Sequence, residues 1–179
     1  GGVYAAGIGG GIVGDDNKAS TGTSHISITG GDITAKGGAS GAGIGGGGGG
    51  IYTMSGDGTV AEDVTDIHIS GGTLEAVGSE GGSGIGGGSY NHGNVSNISI
   101  SGVKDATIEG SYMAAAIGNG APAVDRYPDS TSYGTVSNIT IKDSDVTLKV
   151  SNGGVGIGAN YKSDLKDGAI AITGSSDVT

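Results

Sequence analysis

The amino-acid sequence predicts an all-β protein, a parallel β-helix with three short strands in each of about five coils. Three observations lead to this prediction. An isoleucine set among glycines recurs five times, an Ile-x-Ile pair recurs with it, and the spacing between landmarks follows a repeated plan. Because one repeat holds few apolar residues, successive repeats are expected to stack and bury a continuous core.

The first landmark, named here the glycine strand, is an isoleucine flanked by glycines. Its five copies are centred on Ile8, Ile44, Ile85, Ile117 and Ile157. Glycine permits positive φ and close backbone approach, so this segment is predicted to form one inner wall of a narrow coil. A phosphate-binding loop is the functional alternative, but the Lys-Ser/Thr pair and the following helix are missing. A polyglycine bundle is a structural alternative, and the intervening Ile-x-Ile segments argue against it.

Two further strands are predicted in each repeat. The isoleucines of the second strand alternate with other residues, which places them on one face of the strand. The copies begin at Ile26, Ile67, Ile98, Ile139 and Ile170, and their outward residues are Ser27, His68, Ser99, Thr140 and Ala171. The third strand is shorter, and its first apolar residues are Ile33, Leu74, Ile108, Val146 and Val178. An unbroken threonine array on the outer face would indicate ice binding, but His68 and Lys142 interrupt this one.

The spacings locate the variable part of each coil. The first apolar residues of the second and third strands are 7 to 10 residues apart, and the next glycine strand follows after 9 to 11 residues. From the glycine strand to the second strand the distance varies from 13 to 23 residues. Nearly constant gaps indicate turns of common geometry. A variable gap indicates a loop that projects from one corner, where insertions cost little.

One position directly before the second strand is polar in four of the five repeats. It holds His25, Asp66, Asn97 and Asn138, and Ala169 stands there in the last repeat. Asparagine and aspartate tolerate the left-handed backbone conformation and bond to nearby backbone groups. We predict that these residues form a corner of the coil.

Composition and charge restrict the functional classes. The chain of 179 residues contains 43 glycines and no cysteine, so disulfide frameworks and thiolate metal sites are excluded. A net charge of −10 and a pI near 4.3 argue against nucleic acid and anionic membranes as partners. No run of 18 apolar residues occurs, so membrane insertion is not expected. Residues 1–179 are predicted to form a single β-helix segment of a longer protein, since neither end resembles a polar cap.

Tyrosines collect in the variable loops and are the candidate binding residues. Five of the seven fall between a glycine strand and a second strand, namely Tyr52, Tyr90, Tyr127, Tyr133 and Tyr161. If the loops leave from one corner, these rings would line one side of the stack. Tyrosine rings stack on sugar rings, and neighbouring Asp and Asn bond to hydroxyls. The alternative is that each ring folds back to cover the edge of the helix.

Metal binding and catalysis have weaker support in the sequence. Acidic residues share the loops with the tyrosines, and oxygen-rich loops bind calcium, but neither known calcium-loop pattern is present. No other cofactor is expected. Arg126 beside Asp125 is the only arginine, and no pair of carboxylates stands out for glycoside cleavage. No catalytic residue is therefore predicted, and the three histidines do not share a register that would suit a metal.

The repeat Ile-x-Ile-x-Gly-Gly-x-Ile/Leu-x-Ala, followed by Gly-Ala-Gly-Ile-Gly-Gly-Gly, resembles glycine-rich right-handed β-helix repeats of large surface proteins from Gram-positive anaerobes. Residues 26–47 and 67–88 match this pattern best, and the last coil departs most. The resemblance implies a right-handed helix and an extracellular, wall-attached or surface-attached protein that is often an adhesin or glycan binder. It carries no functional residue over to a numbered position. We therefore expect an adhesin-like scaffold with glycan binding, and the alternatives are a polysaccharide lyase or glycosidase and a passive stalk.

Overall fold

The computed structural model describes residues 1–11, 22–48, 62–90, 93–122, 134–160, 163–166 and 168–179. Its strands form three parallel sheets, and each of five coils contributes to every sheet. The chain is thus a parallel β-solenoid, as the repeat spacing predicts.

The first sheet consists of the glycine strands, which are only two residues long. They are β1 (Ile8–Gly9), β4 (Ile44–Gly45), β7 (Ile85–Gly86), β10 (Ile117–Gly118) and β13 (Ile157–Gly158). Each isoleucine pairs with the isoleucine of the next coil, and each glycine with the next glycine. Further backbone bonds extend the ladder on both sides of the strand, for example from Gly46 N–H to the Gly86 carbonyl at 2.8 Å.

The second sheet, here the isoleucine sheet, is the longest ladder. Its strands are β2 (Thr23–Ile28), β5 (Val64–Ser70), β8 (Val95–Ser101) and β11 (Thr135–Lys142), with β14 (Asp164–Leu165) and β15 (Ile170–Thr173) both paired to β11. The register aligns every Ile-x-Ile pair with the next. The predicted alternation is confirmed in the middle coils, where the isoleucines are buried whereas His68 is exposed and Ser99 and Thr140 are half-buried.

The third sheet supplies the remaining strand of each coil. Its strands are β3 (Asp32–Lys36), β6 (Thr73–Val77), β9 (Asp105–Gly110), β12 (Asp145–Val150) and β16 (Asp177–Val178). All pairs are parallel and in register. The three predicted strands per coil are therefore all present. In the third coil, however, Ala106 and not Ile108 is the equivalent of Leu74 and Val146.

The core is a column of aliphatic side chains from all three sheets. In the middle coils, Ile67, Ile98 and Ile139 are completely or almost completely buried. Their counterparts in the first and last coils, Ile26 and Ile170, are both only half-buried. Burial of the repeated isoleucines therefore depends on a neighbouring coil on each side, as in other solenoids.

The second residue of each glycine strand explains why glycine is required there. Gly45, Gly86 and Gly118 have φ values of 132°, 131° and 142°, which side-chain-bearing residues rarely adopt. A Cβ on any of these three glycines would overlap the carbonyl oxygen of the aligned glycine in the next coil. The positive φ and the lack of space for a Cβ both agree with the tight glycine wall that the sequence predicts.

A tight turn precedes each glycine strand. In the third coil the Gly82 N–H donates to the Ser79 carbonyl at 2.9 Å, and the two central residues, Glu80 and Gly81, both have positive φ. The fifth coil repeats this geometry, as in type I′ turns. In the other coils only the second central residue has positive φ, as in type II turns, and these residues are Tyr4, Ser40 and Met113.

Candidate functional site at the loop corner

The variable loops leave the solenoid through a backbone bond that repeats between coils. The N–H groups of Gly48, Ser89 and Ala121 donate to turn carbonyls of the preceding coil at 2.9, 2.7 and 2.6 Å. The acceptors are Tyr4, Ser40 and Gly81. At these three exits the bonds join main-chain atoms only, so no loop side chain contributes to them.

The loops return through a ladder of side chains that we name the return ladder, made of Asp63, Asn94 and Thr135. The Asp63 Oδ1 accepts the N–H and the Nδ2 of Asn94 at 2.8 and 3.0 Å. The Asn94 Oδ1 in turn accepts the N–H and the Oγ1 of Thr135 at 3.0 and 2.9 Å. In the first two coils Glu62 serves a related purpose, because its Oε2 accepts the Gly22 N–H at 2.6 Å. Hydrogen bonds between neighbouring coils therefore position the returning chain.

The return ladder is not among the features predicted from the sequence, although the sequence contains a signal for it. Asp63, Asn94 and Thr135 each stand directly before a valine that is aligned in the isoleucine sheet. A polar residue directly before an aligned strand residue, repeated over three coils, is the sequence pattern that indicates the return ladder.

A second ladder, the corner ladder, runs through the predicted corner position. His25, Asp66, Asn97 and Asn138 all have positive φ, between 52° and 60°, as predicted for this position. They lie inside β2, β5, β8 and β11 rather than before them, so the change of direction occurs within the second strand. The Asn97 Nδ2 donates to Asp66 Oδ1 at 2.9 Å, and the Asn138 Nδ2 donates to Asn97 Oδ1 at 2.7 Å. Ala169 has no polar side chain to extend it, and is buried.

The corner ladder holds one ionised group at its acidic end. The hydrogen bond from Asn97 lowers the pKa of Asp66, as does the bond from Thr65, and desolvation opposes them. His25 and His68 lower the pKa of this carboxyl further through their charge. The His25 Nε2 lies 3.8 Å from Asp66 Oδ2.

We expect the Asp66→Asn variant to show a flatter pH dependence of stability in acid. The lowered pKa means that the unfolded chain takes up this proton before the folded chain does. The contribution of Asp66 is therefore complete above the ordinary aspartate pKa of about 4, and is lost as the pH falls through the folded value. An asparagine side chain would keep the ladder, as Asn97 does one coil later, but cannot titrate. Urea unfolding of both proteins from neutral to strongly acidic pH measures this, and parallel pH profiles would contradict it.

Only one of the five predicted binding tyrosines lies within the described residues. Tyr90 is half-buried at the start of its loop, with a φ of 60°, and its N–H donates to the Ala121 carbonyl at 2.9 Å. Tyr52, Tyr127, Tyr133 and Tyr161 fall outside the described residues. The row of rings therefore remains a prediction, with Tyr90 placed at the loop corner.

The acidic residues are similarly divided. Asp57, Asp125, Asp129 and Asp167 lie outside the described residues, as does Arg126. Glu62 and Asp63 are described and accept hydrogen bonds from neighbouring coils. In the described part of the chain, no three His, Cys, Asp or Glu side chains are grouped so that they could hold a metal ion.

Comparison with known proteins gives no match. No protein-family model, no curated protein and no solved structure matches this chain. Among the described residues, no helix is long and apolar enough to cross a membrane. The inference about function therefore depends on the loop exits, the return ladder and the loop composition.

Proposed function

We propose that the chain is an adhesin-like scaffold of an extracellular, wall-attached or surface-attached protein, whose loops bind glycan. The observation that supports this most is the fixed exit and return of loops whose lengths differ. Backbone bonds at Gly48, Ser89 and Ala121 set the exit, and the return ladder sets the re-entry. These bonds hold the ends of successive variable segments in one row along one corner.

Glycan is the ligand class that the loop composition favours. The loops carry five of the seven tyrosines together with aspartate and asparagine. Aromatic rings bind the apolar faces of sugars, and carboxylates and amides bond to their hydroxyls. The net charge of −10 favours neutral glycans over anionic ones.

A glycan array tests this proposal. We expect the wild-type chain to bind a set of neutral glycans, and the triple variant Tyr52→Ala/Tyr90→Ala/Tyr161→Ala to lose at least about tenfold in affinity, because each stacked ring contributes about 0.5–1.5 kcal/mol. Tyr112→Ala is the matched control, since Tyr112 is 54% exposed on a tight turn outside the loops.

Each outcome of the array is decisive. Loss of binding in both the triple variant and Tyr112→Ala would indicate a general effect rather than a loop site. Absence of binding by wild type would favour the passive stalk. Release of new reducing ends from a polysaccharide, measured in a separate reducing-sugar assay, would favour the remaining alternative, a lyase or glycosidase.

A further inference from the structure

Two Asn-Gly dipeptides lie in the described part of the chain, in opposite environments. Asn152-Gly153 forms the centre of the tight turn before β13, and both residues are exposed. Asn119-Gly120 follows β10, and Asn119 is 2% exposed. The Asn152-Gly153 dipeptide is therefore accessible to water, whereas Asn119 is not.

The glycine of the exposed dipeptide is not packed against other parts of the chain. A Cβ at Gly153 would meet nothing within 4 Å, so the space beside its backbone is open. The Gly153 N–H has no acceptor among the described residues, and the turn is held by a single long bond, from Gly154 N–H to the Ser151 carbonyl at 3.2 Å.

The buried dipeptide is held from several sides. The Asn119 carbonyl accepts the Ala115 N–H at 3.0 Å and the Asn160 Nδ2 at 2.9 Å. A Cβ on Gly120 would overlap the Gly88 carbonyl, so the backbone there is closely packed.

We propose that Asn152 is a site of spontaneous deamidation through a cyclic imide, and that Asn119 is protected by the fold. The deprotonated Gly153 nitrogen attacks the Asn152 side-chain carbon, so that a new N–C bond forms. The bond from that carbon to the side-chain amide nitrogen breaks, and ammonia leaves with the proton. Water then opens the ring at either carbonyl and leaves aspartate or isoaspartate. No oxidant, metal or enzyme is needed.

The solenoid already accepts a carboxylate at this position. Glu80 precedes Ile85 by five residues, as Asn152 precedes Ile157, and their φ values are 45° and 47°. The glycines that follow have φ values of 92° and 87°. The aspartate product is therefore expected to keep the turn, so conversion to aspartate adds one negative charge to this exposed turn without unfolding the coil.

Tandem mass spectrometry of the aged protein tests the proposal. Trypsin separates the two sites, because cleavage after Lys104, Arg126, Lys149 and Lys162 gives peptides 105–126 and 150–162. After incubation of the folded chain at mildly alkaline pH, we expect conversion at Asn152 and none detectable at Asn119. In a urea-unfolded sample both should convert at similar rates. The Asn152→Ser variant should lose the signal from peptide 150–162, which separates it from reaction at Asn160.

Two results would overturn the proposal. The first is an intact amide at Asn152 in the folded chain at a time when the unfolded sample has converted. The second is equal conversion of Asn119 and Asn152 in the folded chain, which would mean that burial does not protect.

Discussion

Replacement of Gly86 by alanine is expected to destabilise the protein by about 2–6 kcal/mol, because two costs combine. The φ of 131° is essentially confined to glycine, and the new Cβ would overlap the Gly118 carbonyl oxygen. Neither chain segment has room to move, since Gly86 and Gly118 belong to the same continuous backbone ladder. Urea unfolding followed by circular dichroism measures the loss, and failure to fold would be its extreme form.

Gly102→Ala is the matched control in the same coil. Gly102 also has positive φ, 61°, but its Cβ would meet nothing within 4 Å. Only the cost of the left-handed conformation applies, about 1 kcal/mol. Equal losses in the two variants would contradict the claim that contact between coils adds to the cost at Gly86.

Replacement of Ile85 by alanine is expected to cost about 2–5 kcal/mol, the range for truncation of a buried isoleucine. Ile85 is completely buried, and it is the only large side chain that the glycine strand β7 adds to the core. The wall on either side is glycine, so little is available to fill the cavity. The free energy of unfolding from urea titration measures this effect.

Two variants test the explanation. Ile85→Val should cost only about 0.5–1.5 kcal/mol, since one methyl group is removed. Ile8→Ala should cost clearly less than Ile85→Ala, because Ile8 lies in the first coil and is only half-buried. Similar losses at Ile8 and Ile85 would contradict the view that neighbouring coils on both sides determine burial.

The repeated arrangement of strands could be predicted because the isoleucines recur at nearly constant distances along the sequence. Isoleucines at a period of two, aligned over five repeats, favour an arrangement that stacks and buries them together, and the register of Ile67 with Ile98 follows directly. The corner position was predictable for a similar reason, since His25, Asp66, Asn97 and Asn138 recur at one offset.

The hydrogen-bond ladders could be predicted only in part. The sequence repeat indicates that Asn94 and Asp63 are aligned. It does not indicate that one carboxylate oxygen of Asp63 accepts two hydrogen bonds from Asn94 in the next coil. Such bonds depend on side-chain directions that the stacking sets. The positions of the loop residues are harder still to predict, because the loops differ in length and their sequences do not repeat. Tyr90 could be assigned to the corner only because it follows the aligned Ser89 directly.

The use of main-chain atoms at the loop exits has an evolutionary consequence. A substitution within a loop removes none of the bonds from Gly48, Ser89 or Ala121 to the preceding coil. Loop sequences can therefore diverge without first acquiring compensating changes in the frame, whereas Gly86 and its aligned glycines have no room for a side chain. The molecule thus combines a frame whose aligned glycines cannot accept side chains with loops whose sequences the exit bonds do not restrict.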